Sequence, residues 1–314
     1  MIMETEYGDG SAVPGPVRCW KNEEGLHLLA PAKLNLDLLV GPARPDGFHP
    51  IDSIVCRVKY FDQITLSATG SSEVLFRSTG IHSGPDKKNT AFIATRRMMD
   101  LLREKEPDLP GVSVVLEKRV PPEGGMGGGA SDAASVLMGL PVFFGIDVDA
   151  ERVASIAAGI GSDVPFFLGR NCARMTGRGE TLSPVKIYPA VFVVHFSGIS
   201  CPTADVYRAF DSVDPIGDRQ LPVEIFAEPP SRWRDRLEND LELPAGKIRP
   251  ELGERLDMLR KSVGLPVCLT GSGGVMFIPC DGDGEAREVM EKLPAEFRPD
   301  YVPVKVDDAR ARTP

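Results

Sequence analysis

Aliphatic and polar residues alternate in KLNLDLLV (33–40), where Leu34, Leu36, Leu38 and Val40 occupy every second position. A period of two predicts a β-strand with the aliphatic side chains in the core and Lys33 and Asn35 together on the opposite face. The strand pattern begins at Leu26 and ends in GPARPDGFHP (41–50), a turn by its Gly, Pro and Asp content. Further strand-like runs lie at 51–59, 63–68, 73–77, 112–118 and 191–196. Helical spacing appears in 90–104, with Phe92, Met99 and Leu102 near one face, and in 130–140 and 151–160. The second half predicts helices at 203–210, 233–242, 250–262 and 284–292, and strands at 267–270, 275–279 and 301–306. Strands and helices mix without regular alternation, which favours α+β over a doubly wound sheet. The proline-rich stretch near 184–189 reads as a domain junction, with domains at 21–186 and 187–314.

Composition narrows the function classes. The 314 residues suit one large domain or two ordinary ones. A hydrophobic content of 42% and a charged content of 26% exclude wholesale disorder. A net charge of −9 argues against nucleic-acid or anionic-membrane partners. No apolar run is long enough for a transmembrane helix. The six cysteines show no CxxC spacing and the four histidines no HxxxH spacing, so no protein metal site is predicted. Scattered thiols of this kind fit a reducing cytoplasm. Residues 1–20 carry acids and prolines where a signal peptide needs basic and then apolar residues, and they are expected to form a disordered leader.

PPEGGMGGGASDAA (121–134) is the most informative segment. Its glycines let backbone N–H groups approach an anion, and a helix N-terminus adds unpaired donors and partial positive charge. Together they form a phosphate cradle. The plain alternative is a flexible turn with a helix N-cap at Ser131. The Walker A pattern fails, because no Lys-Ser/Thr follows the glycines. GxGxxA occurs at Gly125, Gly127 and Ala130. A dinucleotide fold wants that fingerprint tight against a strand end, and two prolines intervene here.

Three weaker signals accompany the loop. Lys33 on its strand face reads by default as a snorkelling surface lysine. Asp163, in GSDVPFF (161–167), is either a helix N-cap or a partly desolvated base. TGSGG (270–274) is either a glycine-rich β-turn or a second backbone anion site.

In combination these segments become specific. PAKLNL (31–36), DGFH (46–49), PPEGGMGGGASDAA, GSDVPFF and TGSGG occur in an order that resembles the GHMP kinase superfamily of small-molecule kinases. PAK-N-L with DGFH, and GGGxSDAA, point to its branch that acts on a cytidine-diphosphate-linked sugar alcohol in non-mevalonate isoprenoid precursor synthesis. NTAFIATRRMM (89–99), PTADVY (202–207) and ENDLE (238–242) are similar to that branch too. The resemblance covers about residues 28–295.

The resemblance implies a two-domain α+β GHMP-kinase fold, with a ribosomal protein S5 domain 2-like N-terminal domain, an α+β C-terminal domain and the active site in the cleft between them. It implies ATP-dependent phosphorylation of the substrate's 2-hydroxyl. Pro122, Gly124, Gly125, Met126, Gly127, Gly128, Gly129, Ala130 and Ser131 would hold the ATP phosphates, with Mg²⁺ accompanying the nucleotide. Asp163 would accept the hydroxyl proton and Lys33 would orient that hydroxyl. Asn35 would contact substrate. Phe48 and His49 would recognise cytosine, with Tyr207 on the opposite face of the base. Thr203, Gly271, Ser272 and Gly273 fall on the substrate side. A monomer or weak homodimer is expected, in bacterial cytoplasm. The alternatives are a kinase of another small alcohol, a non-catalytic nucleotide-binding protein and a dinucleotide-dependent oxidoreductase. Phe48 stands where the branch usually has Tyr, Glu123 where a small residue is usual, and Ala130 in place of a Ser. Pro141 replaces an Asn and predicts that the loop helix ends or kinks near Leu140.

Overall fold

The computed structural model describes residues 18–81, 86–212, 222–295, 297 and 301–306. The first sheet is built from β1 (Arg18–Asn22), β2 (Gly25–Val40), β3 (Ile51–Ala68), β4 (Leu75–Gly80), β5 (Val112–Lys118), β6 (Cys172–Gly177) and β7 (Thr181–Pro184). Its main path runs β1-β2-β3-β5-β4, with β6 paired to β3 and β7 to β6. Only β4 and β5 run parallel. Its helices are α1 (Thr90–Lys105), α2 (Gly128–Phe144), α3 (Ala150–Ala158) and α4 (Val164–Gly169). The second sheet has the order β11-β8-β10-β9, from β8 (Val191–Phe196), β9 (Cys268–Leu269), β10 (Val275–Cys280) and β11 (Tyr301–Lys305). It carries α5 (Thr203–Phe210), α6 (Glu242–Ile248), α7 (Pro250–Val263) and α8 (Asp283–Lys292).

The expected α+β class is what forms, and β2 is the strand that ties it together. Leu28 and Ala30 pack in the core under α1 and α2. Leu34 and Leu36 pack between the two sheets, against Phe192, Val194 and Phe277. Leu38 and Val40 reach the core of the second half, with Leu241, Leu252 and Leu256. A register shift between Asn35 and Asp37 accompanies the passage from one core to the next. The alternation predicted one solvent-facing side. Instead both faces are covered, and Lys33 and Asn35 are buried at 6% and 5% exposure.

Several expected boundaries change. The runs 51–59 and 63–68 are one strand, kinked where Pro31 pairs with Phe61 but Ala32 with Val58. Residues 18–20 of the expected leader belong to β1, paired antiparallel with β2; the rest of the leader, 1–17, lies outside the described residues. The helix expected at 233–242 is a short 3₁₀ turn, Arg234–Arg236, followed by α6. Pro141 neither ends nor breaks α2, which runs on to a left-handed Gly145 cap at φ 68°. A proline removes one N–H within the ladder, and the buried flank of α2 from Ala133 to Pro141 holds the helix in place.

Candidate active site

The glycine loop leads directly into α2. The helix begins at Gly128, capped by a left-handed Gly127 with no side-chain cap, so Ser131 is not the N-cap. The helical ladder opens with Ser131 N–H donating to the Gly127 carbonyl at 2.9 Å. The amides of Gly128, Gly129 and Ala130 therefore precede the ladder and have no partner within the helix. With no acid in the first turn, this end of a long helix suits an anion.

Some glycines are there for packing. A Cβ on Gly125 would collide with the Thr270 carbonyl, and one on Gly273 with the Gly124 backbone. The loop and the TGSGG turn thus lie backbone to backbone. Val275 N–H donates to the Gly124 carbonyl at 3.3 Å, and Lys33 N–H to the Met126 carbonyl at 2.9 Å. A Cβ on Gly127 would touch Lys33 Cγ at 3.0 Å.

Lys33 is not a snorkelling surface lysine. Its Nζ donates to Asn35 Oδ1. Asn35 Nδ2 donates to Ser53 Oγ at 2.7 Å, and Ser53 Oγ donates to the Asp37 carbonyl at 2.6 Å. Thr270 Oγ1 accepts from Asn35 N–H at 2.9 Å. Burial lowers the Lys33 pKa, opposed by the nearby Asp163 charge. Asp163 occupies the residue before α4 but makes no capping bond, so the N-cap reading fails. Its Oδ2 lies 4.0 Å from Lys33 Nζ, on a side chain that is 37% exposed.

These groups share one cavity of about 1020 Å³, large enough for two sizeable ligands. Every expected site residue lines it except Ser131 and Gly273. Ser131 is fully buried behind the loop, and Gly273 is packed against Gly124. Ser272 Oγ donates to Thr203 Oγ1 at 2.9 Å. Tyr207 closes the same end, its phenol pushed up to about 12 by burial and by the Asp163 charge.

At the expected base-recognition end the rings are arranged differently from the expectation. His49, not Phe48, stands against Tyr207, with centroids 5.5 Å apart. His49 Nδ1 meets the Gly41 carbonyl at 2.8 Å, and Nε2 lies 3.0 Å from Asp211 Oδ1. Both ring nitrogens are taken in this structure. Phe48 is 48% exposed, and the Arg178 guanidinium sits 3.5 Å over its ring.

Sequence reasoning missed a buried ionic cluster beneath the loop. Lys118 Nζ donates to Asp62 Oδ2 and, at 2.7 Å, to Asp132 Oδ2. Asp62 Oδ1 also accepts from the Arg119 and Val120 amides at 2.5 and 2.8 Å. Burial drives the Asp132 carboxyl well above its usual range. The Asp132 Oδ1 and Ser131 Oγ atoms are buried without a hydrogen-bond partner. Thr90, at the start of α1, was missed as well, and its Oγ1 donates to the Gly129 carbonyl at 2.6 Å. Nothing in local spacing marks Asp62, Lys118 and Asp132 as neighbours, because three separate elements bring them together.

Comparison with known proteins agrees with this architecture. The GHMP kinases N terminal domain matches residues 93–170, and the GHMP kinases C terminal domain matches 227–299. The 4-diphosphocytidyl-2-C-methyl-D-erythritol kinase of Thermus thermophilus is 37% identical over 271 residues, covering 85% of this chain and 92% of that protein. The enzyme of that name from Ralstonia nicotianae is 33% identical over 270 residues, covering 85% and 90%. A crystal structure of 4-(cytidine 5'-diphospho)-2C-methyl-D-erythritol kinase superposes with a TM-score of 0.71 at 35% identity, covering 89% of this chain and 98% of that one. Homoserine kinase from Cytophaga hutchinsonii shares the fold, with a TM-score of 0.66 at 13% identity. The chain belongs to the GHMP kinase family, in the group of the 4-diphosphocytidyl-2-C-methyl-D-erythritol kinases.

Proposed function

We propose that this chain transfers the γ-phosphoryl group of ATP to the 2-hydroxyl of 4-diphosphocytidyl-2-C-methyl-D-erythritol, a step in making isoprenoid precursors. The observation that carries the reading is the Lys33–Asp163 pair at 4.0 Å, in the same cavity as the uncapped start of α2. Phosphoryl transfer asks mainly for positioning and charge neutralisation. The amides of Gly128, Gly129 and Ala130 bind phosphate oxygens. Asp163 accepts the proton of the attacking hydroxyl, whose oxygen bonds to the γ-phosphorus as the bond to ADP breaks. Lys33, fixed by Asn35 and Ser53, orients that hydroxyl and stabilises the ionised Asp163. Tyr207, Phe48 and His49 bind the cytosine end. His49 exchanges its Asp211 contact for the base edge when substrate enters. Thr203 and Ser272 hold the substrate between the two ends.

Mg²⁺ belongs to this reading. Among the described residues no group of three His, Cys, Asp or Glu side chains could hold a metal alone. A triphosphate brings most of the oxygens an Mg²⁺ needs. Asp132, which lines the cavity and whose Oδ1 has no hydrogen-bond partner, fits the remainder and would hold the ion. Bound there, it would neutralise charge on the transferring group. The reading also keeps domains at 21–186 and 187–314, a monomer or weak homodimer, and work in the cytoplasm without nucleic acid or membrane. No helix among the described residues is long and apolar enough to cross a membrane.

The test is an ADP-release assay with ATP, Mg²⁺ and the cytidyl substrate, against homoserine, galactose and mevalonate as acceptors. Turnover with the cytidyl substrate alone supports the reading. Turnover only with another acceptor keeps the kinase and discards the cytosine site.

A further inference from the structure

Cys56 on β3 and Cys172 on β6 stand directly opposite one another. The next pair along is the hydrogen-bonded one, with Arg57 N–H donating to the Asn171 carbonyl at 2.7 Å. Cys56 and Cys172 are therefore a non-hydrogen-bonded pair, whose Cα atoms stand about 4.5 Å apart with side chains close together. Both side chains leave the sheet on the same face. On that face Arg174 Nε reaches across to Asp52 Oδ1 at 2.8 Å, so side chains of these two strands do meet. Both cysteines pack on the cluster between the two sheets. Burial and the proximity of Cys172 raise the Cys56 thiol. The other cysteines on adjacent strands are not aligned, since Cys268 lies opposite Phe277 rather than Cys280.

We propose that Cys56 and Cys172 are an oxidation site that closes reversibly to a cross-strand disulfide. Disulfides span Cα separations of roughly 4.4–6.8 Å and most often about 5.5–6 Å, so the bond is within reach but widens the strand pair by about an ångström. Cys172 is half-buried and Cys56 fully buried, so an oxidant meets Cys172 first. With hydrogen peroxide, the Cys172 thiol becomes a sulfenic acid and one water leaves. The Cys56 sulfur then attacks the Cys172 sulfur, the S–S bond forms and a second water leaves. Two thiols and one peroxide thus give one disulfide and two waters, and the thiols supply the two electrons. In a reducing compartment the pair rests as thiols and closes under oxidant.

The pair is tied to both halves of the candidate catalytic pair. Cys56 lies opposite Leu34, the residue between Lys33 and Asn35. The adjacent Arg57 donates to the Phe166 carbonyl at 3.2 Å and to the Phe167 carbonyl, on the helix that follows Asp163. Strand β6 leads to Gly179, where a Cβ would lie 3.8 Å from Asp163 Oδ1. Closing the bond resets β3 against β6 and shifts Lys33 relative to Asp163. This consequence rests on the kinase reading, whereas the disulfide itself does not.

The experiment treats the full chain with hydrogen peroxide, then alkylates and maps it by mass spectrometry without reductant. The expected result is a mass loss of two hydrogens and a single crosslink joining the Cys56 and Cys172 peptides, reversed by dithiothreitol. The kcat for ADP formation falls about tenfold or more, because an ångström-scale misplacement costs up to ~10²-fold. Cys172→Ala forms no such crosslink and keeps its kcat through the treatment. Oxygen adducts or crosslinks elsewhere, with Cys56 and Cys172 both alkylated, overturn the site. A complete crosslink with unchanged kcat overturns its link to catalysis. Reduced protein that crosslinks but makes no ADP upholds the site and removes the kinase reading instead.

Discussion

Lys33 Nζ stands 4.0 Å from Asp163 Oδ2, with the lysine buried and the carboxylate open to the cavity. At that separation the two attract without sharing a proton. Lys33 gives its hydrogen bond to Asn35 instead, and among the described residues none donates a hydrogen bond to the Asp163 carboxylate. A carboxylate with its counter-ion nearby and its oxygens unengaged meets what the proposed base role requires.

Asp163→Asn keeps the shape and loses the base. Its kcat is expected to fall by about 10²–10⁴-fold, the usual span for a general base. ATP binding, read by calorimetry, stays within a few fold of wild type. A fall in ATP affinity as large as the fall in kcat would place Asp163 on the nucleotide instead.

Lys33→Met separates stability from activity. Burial holds the folded-state pKa of Lys33 below 10.5, so between the two values the unfolded chain binds more protons and stability rises with pH. Below that window the cost of the buried charge is fully present. Removing it is expected to raise Tm at neutral pH by about 2 °C or more, the shift that ~1 kcal/mol makes in a chain of this size. Turnover should fall at least ~10²-fold. In the wild type, kcat should decline on the alkaline side below pH 10.5.

The order of motifs disclosed the family, and all but two of the expected site residues line the cavity, because a glycine loop, a Lys-x-Asn strand and a GSD turn are local patterns. The β2 alternation disclosed the strand but not its surroundings. A period of two cannot tell a strand with one wet face from one wrapped by three cores. The same limit hid the reason for Gly125 and Gly273, which is close approach of two loops far apart in sequence. Pro141 shows the opposite case, where a strong local signal to stop was overridden by the buried flank of α2. The Lys118 cluster has no local pattern at all, since β3, β5 and α2 each contribute one charge.

That cluster separates two effects. Lys118→Met strands the Asp62 carboxylate in the core without its cation and is expected to cost about 3–5 kcal/mol, read by urea denaturation. Asp132→Asn should cost much less, because burial already favours the neutral Asp132 carboxyl. Its mark should be a higher Mg²⁺ concentration for half-maximal rate. An unchanged Mg²⁺ dependence would remove Asp132 from the metal.

The cytosine end is tested by truncating rings. Phe48→Ala and Tyr207→Ala should each raise KM for the cytidyl substrate about 5–100-fold, the value of one stacking contact at ~1–3 kcal/mol, with kcat changed little. Phe48 is half exposed, so its loss leaves Tm nearly unchanged. A Phe48→Ala enzyme with wild-type KM would leave base recognition to Tyr207 and His49.

Glu123 is the one non-glycine among the described residues with positive φ, at 56°. A left-handed L-residue costs roughly 1–2 kcal/mol, so glycine would be the easier choice there. The side chain turns away from the loop and accepts from Ser200 Oγ. Ser200 is held in turn by Arg249, whose Nε donates to its carbonyl at 3.0 Å. The carboxylate still lines the cavity beside the proposed phosphate site, where it would oppose an incoming triphosphate. Glu123→Gly removes both the backbone cost and the charge, whereas Glu123→Gln removes the charge alone. If charge is what matters, both variants lower KM for ATP by about threefold, the scale of an exposed charge worth ~0.2–1 kcal/mol. The effect should shrink in high salt, which screens exposed charges. If only Glu123→Gly lowers KM, the strained backbone and not the carboxylate restrains the loop. If both raise it, the Ser200 bond holds the loop in its binding shape, and the cross-cleft contact is part of the nucleotide site.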